Sequence, residues 1–429
     1  MNTKLIKQKD FFLLILGKLV SLLGSNMQQF ALSLYVLSLT GSATIFASIL
    51  SISILPRLLL SPIAGVFGDW FDRKRTIVLL DLLNFIIIGI YAVIFTINGS
   101  LTLPMIYILV ILLEITEIFF GSAMSAVIPS MVEKEDLLDA NSFNSLVMNL
   151  GQLLAPVLGA IIYGSFGLKI VMTINSLSFL LSAISEMFIN IPKKHKKPEE
   201  ISAKAFKMDL IEGINIIKGN KFISTMIYLG TIINFILAPI FSVGLVFIIK
   251  EVLKATDFQF GIFQMVLSAS MIAAPIFASG YIKKVKVGKL CYTSFVSIAL
   301  SILVMAVIPS KVILGSFKSN LVPYILLSII SFMVGVFATT ANIAMGTIFN
   351  QVTPIELMGR TSTVFNLAVT VFIPIGQMIF GYLYDIISPS YVIAISGLIL
   401  IFTVKRYKIA LMELDEQEDG IRGDAINEI

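Results

Sequence analysis

Long apolar stretches alternate with short polar ones along the whole chain, and each is far longer than the roughly four to eight residues of a buried strand. A window of about 19 residues places apolar segments at 11–38, 44–67, 76–98, 102–128, 142–164 and 168–190. A second set falls at 222–249, 256–281, 290–309, 321–349, 361–385 and 389–404. One helix crossing a ~30 Å hydrocarbon core needs about 20 mostly apolar residues, so each segment predicts one span. The expected fold class is therefore an all-α membrane protein of twelve transmembrane helices in two pseudo-symmetric six-helix halves. Residues 1–190 would form the first half, 191–221 a cytoplasmic linker, 222–405 the second half and 406–429 a cytoplasmic tail.

Composition agrees with this pattern. The chain is 429 residues long, 57% hydrophobic and only 13% charged, against about 25% charged in an ordinary soluble domain. A single cysteine, Cys291, excludes a disulfide within the chain, and with a single histidine, His195, no Cys/His zinc site can be assembled. Catalytic triads would have to use His195, which sits in the most basic stretch of the linker. No Gly-rich loop leads into Lys-Ser or Lys-Thr to hold nucleotide phosphates. We therefore expect no enzyme, no cofactor, no metal and no nucleic-acid partner, and ATP is not an obvious energy source. The first apolar run lacks a small-residue cleavage site and reads as a retained span.

Charge sets the orientation, because cytoplasmic loops keep Lys and Arg. With both termini inside, 24 of the 31 Lys and Arg residues fall on the inner side, eight of them between Lys193 and Lys221. In the linker, Phe206, Leu210, Ile214 and Ile217 recur at helical spacing, as in an amphipathic helix on the inner membrane surface; a solvated connector explains them equally well. The tail beyond Glu413 is acidic and short of aromatics, the composition of a disordered segment.

Ionisable groups near the bilayer centre cost at least ~2.5 kcal/mol on insertion scales and are functional candidates by default. Arg57 lies midway through the second segment and Glu114 midway through the fourth, with Glu117 one turn further on the same face. This grouping suits a carboxylate that binds and releases a proton and attracts a cationic substrate, tuned by Arg57; a structural ion pair between Arg57 and one glutamate is the alternative. Lys18 and Glu186, near inner span ends, read as snorkelling or mutually paired groups. Asp81 is a candidate partner of the basic loop before it. Asn26, Gln29 and Ser33 share one face of the first span, as a cavity lining would. In the second half the polar candidates are Asn234, Asn342, Asn366, Gln264 and Gln377, as suited to helix packing as to ligand contact.

After the second segment the chain reads Gly65-Val-Phe-Gly-Asp69-Trp-Phe-Asp72-Arg73-Lys74-Arg75. This loop resembles the one between the second and third helices of the major facilitator superfamily, with Gly65, Asp69 and the basic cluster in register. Trp70 replaces the usual basic residue and Asp72 the usual Gly. The resemblance implies a cytoplasmic gate in which Asp69 meets the helix after Arg360 in the opposite half, together with Arg73 and Lys74. Gly151, Pro156 and Gly159 in the fifth segment look like the helix-five motif of exporting antiporters, with Ala155 and Ala160 where Gly is more usual. Leu39-Thr-Gly-Ser-Ala43 and Leu138-Asp-Ala-Asn141 resemble the branch of drug:proton antiporters that includes macrolide efflux proteins and the enterobactin exporter. A faint internal repeat supports two related halves: Ile128-Pro-Ser-Met-Val132 and Ile348-Phe-Asn-Gln-Val352 occupy matching positions, each ahead of a segment with interior Pro and Gly.

The resemblance implies a multi-pass cell-membrane transporter that exports amphiphilic small molecules, drug- or macrolide-like, by alternating access in exchange for protons. Its partners would be the lipid bilayer, the substrate and protons, with one chain functional as a monomer and antibiotic resistance as an outcome. Siderophore export, lysophospholipid transport and a non-transporting membrane receptor are the alternatives.

Overall fold

The computed structural model describes residues 4–57, 59–60, 64, 72–133, 136–191, 221–282, 285–353 and 358–413. Among these the chain is helical with no strand. The main helices are α1 (Lys9–Thr40), α2 (Ala43–Ile52), α3 (Arg73–Asn98), α4 (Leu103–Met131), α5 (Leu137–Met187), α6 (Lys221–Pro239), α7 (Asp257–Ile282), α8 (Val287–Val307), α9 (Leu321–Val352), α10 (Met358–Thr370), α11 (Ile373–Ile386) and α12 (Pro389–Arg406). Ten helical stretches among the described residues are long and apolar enough to cross a membrane.

These helices do not map one-to-one onto the expected segments, and the reasons are local. The fifth and sixth segments run together as α5, which breaks only at Gly167, where φ of 75° and ψ of 179° suit a residue without Cβ. The helix passes through Pro156 without a non-helical residue. In the second segment, α2 ends at Ile52, the residue whose carbonyl would need the N–H that Pro56 lacks. The same geometry splits the eleventh segment into α10 and α11: Thr370 ends α10 four residues before Pro374. Beyond α6 the chain winds as π-helix at Ile240–Gly244 and Ile248–Val252.

Helix faces are sorted for lipid. On α3, Leu79, Leu83, Ile86, Ile90, Val93 and Ile97 are exposed, whereas Ile77, Asp81, Asn84, Ile88 and Ala92 on the opposite stripe are buried. A bare apolar stripe with the polar residues turned inward is what a bilayer demands and water forbids.

The chain divides into two compact units. Unit 1 comprises Met1–Gly41, Ile49–Ser202 and Asp257–Met265, and unit 2 comprises Ser42–Ser48, Ala203–Thr256 and Val266–Ile429. In unit 1, α5 packs on α1 and α3, and α3 on α4. A core of Leu5, Phe11, Leu14, Ile77, Phe120, Val127 and Phe143 joins these helices at one end, with Phe11 and Phe143 edge to face at 6.2 Å. In unit 2, α8 packs on α9 and α12, and α6 on α10 and α11. Gly376 lets α11 approach α6 closely, since a Cβ there would lie 2.7 Å from the Phe235 carbonyl oxygen. The linker and the acidic segment after Glu413 lie outside the described residues; residues 408–413 are helical, with Leu411 buried.

Candidate functional site

Unit 1 encloses a cavity of about 690 Å³ between α1, the second segment, α4 and α5. Arg57, Glu114, Glu117, Asn26, Gln29 and Ser33 all line it. Arg57 donates from Nε to Glu114 Oε1 at 2.7 Å, and its Nη2 lies 2.6 Å from the same oxygen. The Arg57 side chain is 60% exposed to the cavity and that of Glu114 only 14%. Glu117, one turn on, is also open to the cavity and interacts electrostatically with Glu114, Lys18 and Arg57. Its charged lining residues among those described are Lys18, Arg57, Glu114 and Glu117, two cations against two carboxylates.

Uncharged amides complete the wall, and none of their pairings was expected. Lys18 Nζ donates to Asn144 Oδ1 at 2.6 Å, where the sequence left it either to snorkel or to pair with Glu186. Asn175 Nδ2 donates to Gln28 Oε1 at 2.8 Å, tying α5 to α1. Thr116 Oγ1 donates to Asn84 Oδ1 at 2.6 Å, tying α4 to α3. Each pair satisfies polar atoms that would otherwise be stranded inside an apolar bundle. Amides are commonplace in membrane helices, so only their non-local partners mark these as cavity residues.

The helix-five residues belong to the same wall. Gly151 faces Leu22, whose Cδ2 would lie 2.6 Å from an added Cβ, and Gly159 faces Phe30 and the Met27 backbone. Pro156 offers its carbonyl to the bare face of Gly261 in Asp257–Met265, where Phe260 stacks on Phe30 at 5.1 Å. Small residues thus let α5 and its neighbours touch backbone to backbone.

The gate motif is only partly covered. Gly65 and Asp69 lie outside the described residues, as do the side chains of Arg360 and Asn366, which sit in α10. Arg73 occupies the first turn of α3, and Lys74 Nζ donates to the Met187 carbonyl at 2.8 Å. Asp72, which departs from the family pattern, caps α3 by accepting from Arg75 N at 3.1 Å. Elsewhere, Asn234 donates to the Val369 carbonyl at 3.2 Å, a helix-packing contact in unit 2, and Asn342 is exposed on α9. The cavity therefore gathers the charged candidates and those of the first span.

Unit 2 holds a second polar feature that the sequence reading missed. Asp385, at the end of α11, accepts from Ala43 N and Thr44 N at 2.8 and 3.0 Å and from the hydroxyls of Ser42 and Thr44 at 2.7 and 2.6 Å. It supplies the cap for α2 from a partner more than 300 residues away in sequence.

Residues 14–372 match the sequence model of the Major Facilitator Superfamily. The chain is 26% identical to Macrolide efflux protein A of Streptococcus pyogenes over 232 residues, 54% of this chain and 56% of that protein. It thus spans about half the length of that relative. It is 23% identical to the uncharacterized MFS-type transporter YkuC of Bacillus subtilis over 66% of this chain and 67% of that one. In fold it resembles the nucleoside transporter NupG, with a TM-score of 0.72 at 12% identity over 96% of this chain and 99% of that one. A bacterial homologue of the iron transporter ferroportin, solved in an inward-facing state, gives 0.69 at 14% identity over 93% of this chain and 98% of that one.

Proposed function

The chain belongs to the Major Facilitator Superfamily, and from that premise we propose that it exports amphiphilic small molecules, macrolide-like compounds among them, in exchange for protons. The observation that carries this reading is the Arg57–Glu114 ion pair in the wall of a 690 Å³ cavity. The similarity to macrolide efflux protein A supports the substrate class. A cavity of this size falls within the range that holds a drug-sized ligand, and its balanced charges suit a molecule with both apolar bulk and a polar or cationic centre.

The proposed cycle follows from competition for one carboxylate. Glu114 ionised and bonded to Arg57 is the resting arrangement. A cationic group of the substrate takes Arg57's place, and a proton arriving from the opposite side neutralises Glu114 and releases the substrate. Glu117, on the same face, supplies a second carboxylate that keeps the proton within the cavity. Rocking of the halves would expose the site to each side in turn, with both termini in the cytoplasm of a plasma-membrane protein, consistent with the distribution of Lys and Arg.

The 60% exposure of Arg57 supports one competing reading, export of an anionic siderophore held by the guanidinium. Cells expressing the wild type and Glu114→Gln, loaded with a macrolide or a lipophilic cationic dye, separate the two. Lower accumulation with wild type than with the variant supports the proposal, and equal accumulation contradicts it.

A further inference from the structure

One cation of the cavity has no counterion among the described residues. Lys18 lines the cavity from α1 and is partly buried, yet its ammonium makes no ion pair. Its hydrogen bond goes to the neutral amide of Asn144 on α5, at 2.6 Å. Arg57 differs, because its Nε and Nη2 both close on Glu114. Ionisable groups inside a membrane protein are costly, and they ordinarily pair with one another or with backbone carbonyls. A lysine held by an amide is a charge for which the fold supplies no opposite.

The bond to Asn144 fixes which atoms remain for a ligand. An ammonium carries three N–H donors and no acceptor, so it must meet the amide oxygen, which leaves the Asn144 NH2 as a donor. That NH2 makes no bond of its own among the described residues. Asn141, one turn earlier on the same face of α5, also lines the cavity, exposed and with its amide unbonded. This corner therefore offers the spare N–H groups of Lys18 and the NH2 groups of two asparagines, donors in excess around a positive charge. Such a set complements a group that only accepts, a carboxylate or a phosphate ester.

The corner lies at one end of the cavity. Lys18 stands one turn beyond Leu14 and Asn144 next to Phe143, two members of the core that joins the helices of unit 1. Phe120, Met124 and Ile128 of that core line the same end of the cavity. Glu114 precedes Phe120 by six residues on α4, about 9 Å along the helix, with Glu117 between them. Glu117 makes no ion pair with Lys18, so this end holds an open cation and the other end a closed Arg57–Glu114 pair. We infer that Lys18, Asn144 and Asn141 form a subsite for an acidic group of the transported molecule, which makes the substrate a zwitterionic amphiphile. Its acid sits at Lys18, its apolar body against Phe120 and Met124, and its cationic group at the glutamates of α4. The placement of the cation rests on the transport reading above; the acid subsite does not.

Fluorescence titration of the purified full chain with two matched dyes tests this: a rhodamine with a free carboxylate, which is a zwitterion, and its methyl ester, the same ring system with the cation alone. Wild type should bind the zwitterion about tenfold more tightly than the ester. Lys18→Gln should lose that preference while ester binding changes less than twofold, a selectivity that a mere helix tie would not move. Lys18→Arg should keep the preference. Asn144→Asp gives Lys18 an ionic partner and should abolish the preference with the lysine still present, which retains a test if Lys18→Gln folds poorly. Equal binding of the two dyes by wild type, or a preference that survives both Lys18→Gln and Asn144→Asp, overturns the inference. So does a preference lost in Arg57→Gln instead, which would give the acid to Arg57. Ester binding that rises to the zwitterion's level on adding inorganic phosphate overturns it too, because a free anion would then fill the subsite. The transport reading fails separately: if Glu114→Gln transports like wild type while the preference follows Lys18, the acid subsite stands and the role given to Glu114 does not.

Discussion

Removing the carboxylate of Asp385 should loosen the start of α2 by an amount the geometry sets. Four donors converge on this one group at 2.6–3.0 Å, two of them backbone amides of the first helical turn that would otherwise have no partner. Hydrogen bonds to a charged group contribute about 1.5–3 kcal/mol each when isolated. Asp385 is exposed and the bonds share one ion, so they do not add; the loss of a helix cap, ~0.5–2 kcal/mol, sets the better scale. For Asp385→Ala we expect about 2 kcal/mol, or roughly 30-fold faster exchange of the Ala43 and Thr44 amides. Asp385→Asn keeps an acceptor but loses the charge and should accelerate exchange by about fivefold, near 1 kcal/mol. Hydrogen exchange read by mass spectrometry on peptides covering residues 42–48 measures both. Unchanged exchange in Asp385→Ala would refute the reasoning, because those amides would then be held by something other than this carboxylate.

Other outcomes follow from the same geometry. Arg57→Gln frees Glu114 for a cationic ligand, so a lipophilic cation should bind about 5- to 10-fold more tightly, equivalent to roughly 1 kcal/mol, as read by fluorescence titration. Gln28→Leu strands the Asn175 amide and should destabilise unit 1 by about 1–3 kcal/mol in thermal unfolding, with Asn175→Leu on the same background recovering part of the loss. Gly376→Ala pushes a methyl group onto the Phe235 carbonyl and should cost about 1–3 kcal/mol, seen as a lower unfolding temperature in detergent.

What could be read from the sequence was what a membrane makes costly. A charge inside an apolar run is conspicuous, so Arg57, Glu114 and Glu117 stood out, and the structure brings them to one cavity wall. Asp385 did not stand out, because an acid at a span end is ordinary and its partners lie in a distant segment. The same holds for Asn84 with Thr116 and Gln28 with Asn175, residues whose chemistry is generic until the fold pairs them. Depth alone left Lys18 either to snorkel or to pair with Glu186, because the choice of Asn144 as its acceptor depends on helix rotation. Span positions were legible from apolar length; the breaks at Ile52 and Thr370 depended on prolines four residues on, which a hydropathy window averages away.

The central claim is that Glu114 carries the exchanged proton, and reconstituted vesicles under an imposed pH gradient test it most directly. Purified wild type should drive uptake of a lipophilic cationic dye or a macrolide against its gradient, with a matching proton flux in the opposite direction. Glu114→Gln should bind the same compound more weakly and lose the gradient-driven component. Gradient-driven transport that persists in Glu114→Gln, or wild-type transport indifferent to the pH gradient, would contradict the account.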